Sequence, residues 1–126
     1  MREIIVRKRG VLVILLFLAG CAQKPVSYHA QIQPILNDRC IQCHSPGRAS
    51  EGVVLTSYDS VMSSIATQHH KPIVVPGDPS ASRLYLVSES DQLHFRMPPD
   101  STKMVPVPKD EVLLIGRWIQ QGARNN

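Results

Sequence analysis

Cys40-Ile41-Gln42-Cys43-His44 sets two thiols three residues apart, with an imidazole directly after the second. On one helical turn, positions i and i+3 lie on the same face. Two thiols placed there can each add to one vinyl group of a single porphyrin. His44 then follows in position to offer an imidazole nitrogen to the iron, the proximal ligand type of many haem proteins. The spacing reads as a covalent attachment site for one haem c. The competing chemistries are a disulfide or half of a zinc site. A structural zinc site needs about four Cys/His ligands, usually as two spaced pairs. The chain has three cysteines in all, so no second pair exists.

The third cysteine, Cys21, has a different setting. Arg2, Arg7, Lys8 and Arg9 form a basic opening, and Val11 to Ala19 is an apolar run. That run falls short of the about 20 residues a spanning helix needs, but it fits the apolar region of a secretory signal. It ends in Leu18-Ala19-Gly20-Cys21, which resembles the lipobox of bacterial lipoproteins. The resemblance implies cleavage before Cys21 and lipidation of its thiol. The alternative is ordinary signal cleavage that leaves Cys21 free. Ala22 stands where an Asp commonly retains such proteins at the inner membrane, which leans toward the outer membrane. The expected location is outside the cytoplasm, lipid-anchored to a bacterial membrane that faces the periplasm or the cell exterior.

Removing residues 1–20 changes the charge. They hold four of the 14 Lys/Arg and one of the 10 Asp/Glu, so residues 21–126 carry ten against nine and a net charge of +1. Nothing in this balance argues for nucleic acid. Two haem propionates would bring it to about −1.

Several elements must position the motif. Residues 21–27 read as a tether, and the domain as 28–126. Ile32, Ile35, Leu36 and Cys40 share a helical face. Pro34 is tolerated only in a first turn, so that helix starts near residue 31 and delivers the chain into the motif. Ser45-Pro46-Gly47 breaks it. Ser57 is a candidate N-cap for a helix across 58–67, with Tyr58, Val61, Met62 and Ile65 on one face. Asp78-Pro79 reads as N-cap and first residue of a helix reaching about residue 89. Residues 90–107, with Met97-Pro98-Pro99 and Met104, form a Pro-stiffened loop. Pro108 opens the last helix, Asp110 and Glu111 sit in its first turn, and Gly122 is its C-cap. Gly116 suits close approach of another element.

These segments together resemble the small class I-like c-type cytochromes, in particular the cytochrome c domain of planctomycete proteins. The resemblance is carried by Tyr28 to Leu36, Cys40 to Gly47, Leu55-Thr56-Ser57-Tyr58 and Val75-Pro76-Gly77-Asp78-Pro79. It continues through Ser82-Arg83-Leu84-Tyr85, Met97-Pro98-Pro99, Glu111, and Ile115 to Ala123. It implies an all-α, cytochrome c-like fold, with N- and C-terminal helices packed beside a covalently bound haem and long Pro-rich loops. It also implies axial ligation by His44 and Met97. Met104, His69, His70, His94 or an open site remain alternatives for the second ligand. Trp118 is expected beside the porphyrin, while Tyr28 and Tyr85 fit either the core or the haem pocket.

The function expected from this is electron transfer, with no bond of a small-molecule substrate made or broken. The partner would be a membrane-associated or periplasmic redox protein. Two other classes stand against it. A haem-based gas sensor or haem enzyme needs a displaceable sixth ligand and distal donors, which His94 and Arg96 could supply. A haem-free metal-binding lipoprotein is the third reading.

Overall fold

The first helical turn is started by a serine. Ser27 is extended, and its Oγ accepts from the Ala30 N–H at 3.2 Å. A wide turn over Tyr28–Ile32 follows and runs into α1, Gln33–Arg39. Pro34 lies in the first turn of α1, where its missing N–H costs nothing. The computed structural model describes residues 23–126. The expected signal segment and Cys21 lie outside the described residues.

Beyond α1 come α2 (Tyr58–Ser63), a two-residue antiparallel hairpin of β1 (Ile65–Ala66) and β2 (Lys71–Pro72), α3 (Arg83–Glu89) and α4 (Lys109–Gln120). Single tight turns at Ser50–Gly52, Pro79–Ala81 and Asp100–Thr102 punctuate the loops. The domain is small and mostly helical, with four α-helices among the described residues. None of its described helices is long and apolar enough to cross a membrane.

Two helices end or begin where their periodicity does not suggest. α2 stops at Ser63 rather than 67, and Ile65 is exposed instead of sharing the buried face of Val61. The buried Ser64 explains the stop. Its Oγ accepts from the Val54 N–H at 2.9 Å and donates to the Val54 carbonyl at 3.1 Å, so it holds residue 64 extended against the 53–55 segment. The helix expected from Asp78 is split in the same way. Asp78 does cap, accepting from the Ala81 N–H at 3.1 Å, but only for the turn Pro79–Ala81. The fully buried Ser82 is then extended, with its Oγ accepting from the Val75 N–H at 2.9 Å, and α3 starts after it. A buried hydroxyl finds its partners in backbone groups, and here those partners lie outside any helix.

α4 follows its sequence closely. Asp110 and Glu111 occupy the first turn, at the positive end of the helix dipole. At the other end the Gly122 N–H donates to the Ile119 carbonyl and the Ala123 N–H to the Trp118 carbonyl, both at 2.9 Å. This paired closure needs a left-handed residue, and Gly122 supplies it at φ +96°. Midway along, a Cβ on Gly116 would stand 2.8 Å from Tyr85 Cε2, so the missing side chain is what lets α3 and α4 meet.

The core sits where the two ends of the described chain join. Tyr28, Ile32, Leu36, Trp118 and Ile119 have no solvent exposure. The Tyr28 ring lies 5.1 Å from Tyr58, edge-on, and 5.4 Å from Trp118. Burial, with Tyr58 and Asp59 adding to it, pushes the Tyr28 hydroxyl up to about 12. Backbone bonds sew the ends together. The Val26 N–H donates to Gln121 Oε1 at 2.8 Å, and the His29 N–H to the Asn126 carbonyl at 3.0 Å.

Candidate haem-binding site

The motif follows α1 as one more turn of chain. The Cys40 carbonyl accepts from the Cys43 N–H at 3.2 Å and from the His44 N–H at 3.0 Å. That turn sets Cys40, Cys43 and His44 on the lining of a single hollow. The loop from 47 to 55 then wraps the motif. The Cys43 carbonyl accepts from the Ser50 N–H at 3.2 Å, and the His44 carbonyl from the Leu55 N–H at 2.8 Å.

The hollow is open to solvent. Its lining is chiefly apolar: Val53, Leu55, Ala66, Ile73, Leu84 and Val87 all face it and are buried from water. Both Met97 and Met104 reach it from the Pro-rich loop. The two are fixed differently. The Met97 N–H donates to the Val87 carbonyl of α3 at 2.9 Å, and Pro98 behind it is buried. The Met104 N–H reaches only Thr102 Oγ1 of its own loop, at 3.3 Å.

His44 Nδ1 lies 3.3 Å from the Val53 carbonyl. A donor role for Nδ1–H there leaves Nε2 as the lone-pair nitrogen, the arrangement that usually orients a metal-bound histidine. Cys40 is half-buried while Cys43 is exposed. Burial pushes the Cys40 thiol up to about 12, with Arg39 pulling it down and Glu111 and Cys43 adding to the rise. Among the described residues, no three His, Cys, Asp or Glu side chains converge as a metal site.

The other sequence candidates lie elsewhere. His69 and His70 are on the exposed turn of the hairpin, and His94 is exposed on the 90–96 loop; none lines the hollow. Trp118, expected beside the porphyrin, does not line the hollow. Its indole N–H donates to the Arg124 carbonyl at 3.0 Å, and no residue of α4 contributes to the lining. Tyr28 belongs to the core, and Tyr85 packs on Gly116 with its hydroxyl donating to Glu89 at 3.0 Å. α4 meets the site only at second hand, through Glu111, whose carboxylate takes two hydrogen bonds from Arg39 at 2.5 and 3.1 Å. Arg39 and Arg83 both face the hollow, and neither was among the expected site residues. The Val53 carbonyl could not be found from sequence either, because every residue has one.

The donor set fits a haem of the c type: two thiols three residues apart, one imidazole with its second nitrogen engaged, and thioethers entering from a separate loop. That set on a small helical scaffold is what a cytochrome c family domain presents. More particularly, residues 40–101 match the family model of planctomycete cytochrome C. The match begins at the first motif cysteine, takes in Met97 and ends before Met104. No curated protein matches the chain, and no solved structure does.

Proposed function

We propose that the chain is a monohaem c-type cytochrome that carries electrons outside the cytoplasm. The observation that carries this reading is that one apolar hollow gathers both motif thiols, His44 and Met97. In this reading Cys40 and Cys43 hold the haem through thioether bonds, so it cannot be lost outside the cell. His44 Nε2 and the Met97 sulfur hold the iron, with the Val53 carbonyl fixing the imidazole ring. The bound haem supplies one-electron Fe(III)/Fe(II) chemistry. The apolar walls exclude water from it, and a thioether ligand favours the reduced state. The anchoring of Met97 to Val87, and the end of the family match before Met104, support Met97 over Met104.

The same proposal takes Cys21 as the lipid-modified first residue after cleavage. The lipid would keep the carrier at a membrane, near a membrane-associated or periplasmic redox partner. Cys43 is exposed, and in this reading a partner approaches the haem near it. Serine at position 21 should leave an uncleaved or mislocalised precursor, whereas the wild type partitions into detergent.

Carbon monoxide tests the ligands. The wild-type protein should bind it slowly or not at all, and its ferric form should show the weak long-wavelength band of His/Met haem. Met97→Ala should remove that band and open the iron; Met104→Ala should do neither. Reversal of the two variants would reassign the ligand. Fast binding by the wild type with no such band would favour the sensor or enzyme reading.

A further inference from the structure

Two arginines face the hollow, and they stand in different electrostatic states. Arg39 is committed. Its guanidinium donates twice to Glu111 and lies 3.8 Å from Asp38. Arg83, the first residue of α3, is half-buried and has no carboxylate at ion-pair distance among the described residues. Glu51 also faces the hollow and does not pair with it. Nor, among the described residues, does any side-chain hydrogen bond take up its guanidinium. What does hold it is an aromatic face: the guanidinium carbon lies 5.1 Å from the centre of the Phe95 ring. A cation–aromatic contact of this kind leaves the guanidinium N–H groups free to donate.

A cation on the wall of an apolar cavity is costly unless something pairs with it. Among the described residues no carboxylate pairs with it, so its N–H groups are available to whatever fills the hollow. We infer that Arg83 holds an anionic edge of the occupant. Given the cytochrome reading, on which this rests, that edge is a carboxylate of the porphyrin. A flat fork matches a carboxylate with two parallel hydrogen bonds, which a lysine cannot reproduce. Arg83 is then a positioning residue. It fixes one edge of the ring while Cys40 and Cys43 fix another. It also neutralises a negative charge near the iron, which would otherwise favour the oxidised state.

The test uses the haem-loaded protein and two readouts other than activity: the midpoint potential, and the propionate bending vibration in resonance Raman spectra. Arg83→Gln should shift the potential downward and move the vibration. Arg83→Lys keeps the charge, so it should return most of the potential while leaving the vibration displaced. Phe95→Leu should shift both in the direction of Arg83→Gln by a smaller amount. Wild-type potential and vibration in Arg83→Gln, with haem still covalently bound, would overturn the role of Arg83 and leave the cytochrome reading standing. Should Arg83→Gln not accumulate, an unmoved vibration in Arg83→Lys overturns the role equally. Absence of covalent haem in the wild type would overturn both.

Discussion

Trp118, Tyr28, Ile32 and Ile119 have no exposure at all, whereas Cys40, His44, Met97 and Met104 are only half-buried although they face inward. The first group fills the seam where the two ends of the described chain meet. The second lines the hollow. The seam is side chain packed on side chain, and backbone bonds from Val26 to His29 close it. The hollow is walled by short helices and loops, and its apolar residues Val53, Leu55, Ala66, Ile73 and Leu84 continue the same core. The fold is thus divided into a part that completes itself and a part shaped for a guest. Stability and function should separate along that line.

The largest expected effect falls on the hollow. Replacing Cys40 and Cys43 together with Ala should abolish all haem that survives denaturing electrophoresis, read by haem staining. Next, Trp118→Ala should cost about 3–5 kcal/mol, as removal of a fully buried indole does. Denaturant unfolding of the haem-loaded protein measures this, and its absorption bands should stay in place because Trp118 does not line the hollow. A band shift as large as that of Met97→Ala would mean that the two regions are not separable.

The Arg39–Glu111 pair bridges the two regions and sharpens the comparison. Both side chains are mostly shielded, at 19% and 24% exposure. Glu111→Ala should lower stability by about 1.5–3 kcal/mol. It should also raise the midpoint potential, because an unpaired guanidinium then faces the hollow. Smallest is Gly116→Ala, where the new Cβ forces the Tyr85 ring to move. We expect a loss of about 1 kcal/mol, and that loss should vanish in a Tyr85→Ala background, by double-mutant cycle.

Much of this division was legible in the residues. The Cys40–His44 spacing singled out three residues that line the hollow, and Pro34, Asp110 and Gly122 marked helix ends because each acts through its own backbone chemistry. Gly116 signalled a close approach, and Tyr85 is what approaches. What escaped was set by tertiary partners. Ser64 and Ser82 look neutral in sequence, yet their buried hydroxyls stop one helix and split another. Trp118 was expected at the porphyrin because an aromatic on the last helix suits either side of it. Only the placement of Tyr28 and Tyr58 shows which side it takes. Arg83 stood inside a quoted segment, but its lack of a carboxylate partner is a property of the folded chain.

The most direct test of the central claim is the intact mass of the protein, made in cells with a working cytochrome c maturation system and measured under denaturing conditions. The account predicts the mass of the processed chain plus one haem, with the haem on the peptide that contains Cys40, Cys43 and His44. A bare polypeptide mass, from cells that attach haem to a control cytochrome, would contradict it.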